Sequence, residues 1–171
     1  MKKLLAVLLP LVFCASAAFA FDNDDAVVRW KSVAGIITAH GVGNPVGNIP
    51  GGNFPWSVRS GYASVNLSTG ATSFEVEGLV INGSVFSGTP GPVMAVNGTL
   101  VCNAGEQTQA VLDTIPVSLS VHGDAQFSGQ IQNIPASCGN PLFLVRVATA
   151  GPEFGRWIAT GIGRFIGEDG K

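Results

Sequence analysis

The 171-residue chain carries 9 Lys and Arg against 11 Asp and Glu, a formal charge of −2, and only 12% charged residues, where about 25% is usual. No basic surplus exists, so nucleic acid is excluded as a partner class. The surface must then be built from Ser, Thr, Asn, Gln and Gly with some exposed apolar area, which suits association with a protein, a glycan or a second copy; a membrane is not the expected partner.

Residues 1–20 have two lysines, an apolar run from Leu4, and Ala18 and Ala20 flanking Phe19. That is the pattern of a secretory signal peptide, so we expect an exported protein, periplasmic or extracellular. Cleavage leaves 151 residues with a charge of about −4, since Lys2 and Lys3 are removed. One domain is expected over 21–166, with a disordered polar tail at 167–171.

Asp22, Asp24 and Asp25 open the mature chain, but no glycine and distal glutamate of a calcium loop follow, and we read them as solvated. Residues 27–38 read as a strand, with Val28 and Trp30 on one face and Arg29 and Lys31 on the other. From His40 to Pro55 glycine and proline recur too often for regular structure. This is the longest expected loop, and on a rigid scaffold such a loop is where binding residues sit. Asn44, Asn48, Asn53, Phe54 and Trp56 are therefore the candidate binding residues. Replacing residues 46–52 with a flexible linker is expected to change stability by no more than about 1 kcal/mol.

In residues 56–82, Ala63, Val65 and Leu67 alternate with polar residues, as do Phe74 and Val76 after Thr69-Gly70. A turn centred on Thr69-Gly70 predicts Val65 opposite Phe74, Ala63 opposite Val76 and Tyr62 opposite Glu77, with Glu75 and Glu77 within reach of Arg29 and Lys31. Residues 61–81 resemble the strand, turn, strand and Gly-Leu pattern of chordin-type domains. The His-x-His element of those domains is absent, and the resemblance carries no function.

Residues 93–102 read as a strand interrupted at Asn97-Gly98. Residues 115–131 alternate throughout, with Ile115, Val117, Leu119, Val121, Ala125, Phe127 and Ile131 on the apolar face. One strand of that length would reach about 56 Å. A loop at His122-Gly123-Asp124 is expected instead, setting Leu119 opposite Phe127. Two final strands, one around Phe143 to Val147 and one over 154–166, complete the chain; in the last, Trp157, Ala159, Gly161, Gly163 and Phe165 share a face.

Cys102 and Cys138 would survive export, and two thiols outside any C-x-x-C or metal pattern predict one disulfide. Closing a loop of about 37 residues contributes on the order of 4 kcal/mol in a chain-entropy treatment. His40 and His122 are the only histidines, no G-x-S-x-G elbow occurs, and the glycine-rich stretches precede no helix. No catalytic, cofactor or metal residues are assigned.

These observations predict an all-β fold, an antiparallel sandwich or small closed barrel of about 8–10 strands with one disulfide. The expected role is that of a noncatalytic exported binding or assembly module presenting loops. A secreted hydrolase with an unrecognised site and a small outer-membrane barrel are the alternatives.

Overall fold

The computed structural model describes residues 26–39 and 42–167. The segment read as a signal peptide, Asp22, Asp24, Asp25, His40 and the tail beyond Gly167 lie outside them. The architecture is all-β, with no α-helix among the described residues.

Eleven strands, one more than the upper expectation, form in chain order: β1 (Val27–Gly35), β2 (Trp56–Ser57), β3 (Ser60–Asn66), β4 (Ala71–Glu77), β5 (Val80–Ile81), β6 (Ala95–Cys102), β7 (Ala110–Asp113), β8 (Val117–Ser118), β9 (Ala125–Gln130), β10 (Leu142–Val147) and β11 (Trp157–Ile166). Three of them are only two residues long. The main sheet is antiparallel, in the order β7-β6-β10-β11-β1-β3-β4-β9, with β8 also paired to β6; β2 and β5 make a separate pair. This sheet curls upon itself as a half-barrel. Phe74 on β4 and Phe143 on β10 are four places apart along the sheet, yet their rings meet across the interior at 5.6 Å, and Trp30 on β1 lies 5.6 Å from Phe143. A side chain added at Gly98 would collide with both phenylalanines, so the glycine lets β6 close over them. The expected interruption at Asn97-Gly98 is absent, and β6 runs through unbroken.

Alternation placed the inward faces of β3, β4 and β9 correctly, but both hairpin registers differ from expectation. In β3–β4, Ala63 faces Phe74, Gly61 faces Val76, Tyr62 faces Glu75 and Val65 faces Thr72. The loop is residues 67–70: the Asn66 side chain accepts the Ser68 and Thr69 N–H groups, and Gly70 N–H bonds to the Asn66 carbonyl. That Asx-type closure moves the turn one residue toward the N-terminus. Glu75 and Glu77 do not reach Arg29 or Lys31, because β3 lies between β1 and β4; Glu77 instead pairs with Arg59 at 3.3 Å.

The second turn closes at Ser120 and Asp124 around Val121, His122 and Gly123, one residue earlier than expected. Val121 and Ile115, both expected inside, are 78% and 72% exposed. Pro116 has no N–H to give to β6, so the edge strand breaks between β7 and β8 and Ile115 turns outward. β8 then pairs with β6 rather than running along β9, so the expected Leu119–Phe127 rung is not made.

Gly123 joins the turn to the connection between β4 and β5. It sits at φ +83°, its carbonyl accepts the Leu79 N–H at 2.8 Å, and a Cβ there would strike the Leu79 backbone. Asp124 completes this joint, accepting the Gly78 N–H at 3.0 Å and the Ser120 hydroxyl at 3.2 Å. The Gly78 hydrogen bond, helped by Ser120 and opposed by desolvation, holds the Asp124 carboxyl below the ordinary carboxylate range. The Ser60 and Arg59 side chains do the same for Glu77. A carboxyl whose pKa is lower folded than unfolded stabilises the fold above the unfolded value near 4 and loses that contribution as pH falls through the folded value. Melting temperature is therefore expected to fall on acidification below about pH 5. Asp124→Ala should melt below wild type at pH 7, the gap narrowing toward pH 2, as thermal melts at a series of pH values would register.

β11 also departs from expectation. Trp157 and Ala159 are buried, and a Cβ at Gly161 would meet Trp30, but Phe165 lies on the outer surface beneath the Lys31 ammonium, 4.9 Å from its ring centre. The rung between Lys31 and Gly163 is missing from the β1–β11 ladder, and Gly163 has φ +65°. Both strands exchange faces there: in β1, Trp30 points inward before it and Val33 after it.

Cys102 and Cys138 are bonded, their Cα atoms 4.8 Å apart. The bond fastens the crossover that carries the chain from edge strand β9 back to β10. Beside it, the Asn103 side chain accepts the Gly139 N–H, and the Gly139 carbonyl accepts the Asn103 N–H.

Candidate functional site

The expected binding loop is built into the fold. Ile49 is buried, Gly51 bridges to Trp157, and the Gly52 N–H and Pro50 carbonyl bond to the Trp157 backbone at 2.9 and 3.0 Å. The Asn44 carbonyl accepts the Trp157 indole N–H at 2.7 Å, while its side chain donates to the Ile37 carbonyl. Asn53 bonds through backbone and side chain to Glu153. Asn48 is exposed, but its side chain is held by Gln109. Phe54 is half-buried against the core. Trp56, the last of the candidate binding residues, is only 3% exposed, with the Gly35 backbone packed on its carbonyl. The five residues are strung along one segment without converging on a ligand site. The physical reason is hydrogen bonding: a glycine-rich loop crossing the end of a sheet must satisfy its backbone groups, and here it does so on β11.

Replacing residues 46–52 with a Gly-Ser linker is accordingly expected to cost well over 1 kcal/mol. Loss of buried Ile49 alone accounts for about 2–5 kcal/mol. Chemical denaturation of the linker variant measures this directly.

A different surface gathers polar groups. On the outside of the sheet, strand pairing sets Phe165 beside Arg29, Arg29 beside Ser64, Ser64 beside Ser73 and Ser73 beside Ser128. Five strands thus contribute one residue each to a single rung, about 19 Å from end to end at the usual strand spacing. The next rung sets Tyr62 beside Glu75 and Glu75 beside Gln126, and Lys31 stands next to Tyr62. Serines are short, and Arg29, Tyr62 and Glu75 beside them are tall, so Ser64, Ser73 and Ser128 form the floor of a shallow trough. Two adjoining clefts of about 350 and 500 Å³ lie along it and share Arg29, Ser64 and Ser73.

The groups in the trough are open to a ligand. The hydroxyls of Ser64, Ser73 and Ser128 make no hydrogen bond to the protein among the described residues, and Arg29 and Lys31 are in no salt bridge there. Arg29 is oriented by donating to the Gly167 carbonyl at 2.6 Å. Tyr62 is 46% exposed. Hydroxyls, a guanidinium, an ammonium and two aromatic rings can hydrogen-bond, neutralise charge and stack, which are the interactions of recognition.

His122 is exposed in its turn, two positions from the hydrogen-bonded Asp124. No group of three or more His, Cys, Asp or Glu side chains is placed to hold a metal ion among the described residues. The trough was missed in the sequence because its members lie on five strands. Its one signal was the outward polar set Arg29, Ser64, Ser73 and Ser128, which also fits any solvated sheet face.

No family model matches the sequence, and no characterised protein or solved structure is significantly similar to it.

Proposed function

We propose that this is a noncatalytic exported binding module that meets its partner on the outer face of β11, β1, β3, β4 and β9. The single observation that carries the reading is the registered rung from Phe165 through Arg29 to Ser64, Ser73 and Ser128, with three hydroxyls that have no protein partner among the described residues. Free polar groups aligned across strands hold a fixed spacing, so they recognise without induced ordering. The paired cysteines and the leader-like residues 1–20 support export, since disulfides persist outside the reducing cytoplasm. The interior is apolar, and the outer rung of β1, β3, β4 and β9 is Arg29, Ser64, Ser73 and Ser128, unlike the apolar outer band of a lipid-facing barrel.

The test fills the trough. Ser73→Trp lies on the outer face and should leave the melting temperature within the small range of surface changes, about 0.5 kcal/mol in stability. Immobilised wild-type protein should retain a component of the cell exterior that Ser73→Trp does not retain. Equal retention by both would place binding elsewhere. Turnover of ester, glycoside or peptide substrates by purified protein would overturn the noncatalytic reading.

A further inference from the structure

Resting on the binding-module reading, we infer that the trough takes a carboxylated polysaccharide strand, lying across the sheet with an acidic sugar at the Arg29 and Lys31 end. Charge is the first argument. The chain as a whole is negative at −2, yet this end of the trough holds two cations that are in no salt bridge among the described residues, the carboxylate of the next rung, Glu75, lying beyond Tyr62 on β4. Such a concentration of unpaired positive charge fits an anionic group, and a guanidinium meets a carboxylate through two parallel hydrogen bonds.

The second argument is the remainder of the rung. Ser64, Ser73 and Ser128 repeat at one strand spacing of about 4.8 Å, close to the rise of a single sugar along an extended glycan. Each hydroxyl both donates and accepts, as sugar hydroxyls do, so every step along the floor can exchange a pair of hydrogen bonds. An extended peptide offers its backbone groups to a sheet edge and not to side-chain hydroxyls on a sheet face. Tyr62, 46% exposed, stands at the cationic end, where its face can cover the apolar side of a sugar ring, while Phe165 holds the Lys31 ammonium over its own ring.

The experiment uses purified protein and three probes of comparable length: polygalacturonate, an uncharged β-1,4-glucan and single-stranded DNA. Retardation in gels containing each polymer, followed by calorimetry on defined oligomers, should show retention by polygalacturonate that weakens as salt rises. Lys31→Gln should reduce affinity several-fold and Ser73→Trp at least tenfold, with melting temperatures near that of wild type. Arg29→Gln should act in the same direction, and comparison with Lys31→Gln separates lost charge from the lost bond to Gly167. Binding to polygalacturonate that Ser73→Trp does not affect would overturn the proposal, as would equal retention by the uncharged glucan or stronger retention by DNA. If no polygalacturonate binds but Ser73→Trp still abolishes capture of an exterior component, the ligand class is wrong and the binding module stands. If neither occurs, both readings fall.

Discussion

Trp56→Ala is expected to cost about 3–5 kcal/mol of folding stability, the range for truncating a buried tryptophan, and to leave little folded protein at moderate temperature. The indole is almost wholly enclosed, and Trp56 ties three parts of the molecule together. Its backbone N–H donates to the Ile36 carbonyl at 2.9 Å, it pairs with Ile81 in the small sheet, and its carbonyl lies against the Gly35 backbone. Truncation therefore leaves a cavity where the end of β1 and the β2–β5 pair meet. Trp56→Phe should recover part of the loss, since most of the ring volume is kept. Equilibrium denaturation of the two variants measures both effects. A loss below about 1 kcal/mol for Trp56→Ala would return the residue to the surface.

Replacing both Cys102 and Cys138 with serine is expected to cost about 2–5 kcal/mol, as removal of a native disulfide from a small secreted domain does. Oxidised wild-type protein should show no free thiol under denaturing conditions once any leader carrying Cys14 has been removed. In the double variant, the crossover after β9 keeps the paired Asn103–Gly139 hydrogen bonds, the Arg164 side chain donating to the Asn140 side chain and the Pro141 carbonyl, and the packing of Ile131 and Ile134. Proteolysis should consequently begin within 132–138, ahead of the part that Gly139 and Arg164 still hold, and cleavage mapped by mass spectrometry would locate it. First cleavage elsewhere would mean that the bond supports the sheet in general and not this crossover.

Between them, Trp56 and the disulfide separate what was legible in the chain from what was not. The pairing of Cys102 with Cys138 followed from two thiols outside any C-x-x-C or metal pattern behind a leader-like segment, whatever the fold. Trp56 was ambiguous because it follows a run of glycine and proline. Only the path of β1 and the loop across β11 decided that its ring is enclosed.

The sequence by itself determined the all-β class, the inward faces of β3, β4 and β9, and the disulfide, because side-chain alternation and thiol chemistry are properties of the chain. Tertiary structure decided register, closure and the trough. Shifting a hairpin by two positions leaves every side chain on the same face, so alternation cannot distinguish Val65 opposite Phe74 from Ala63 opposite Phe74. The choice rested with the hydrogen bonds of Asn66, and in the second hairpin with those between Ser120 and Asp124. The exchange of faces at Lys31 and Gly163 put Phe165 outside, beside Arg29. The rung that continues to Ser128 joins residues as far apart as 29 and 165 in the chain, and only the order of strands in the sheet could bring them together.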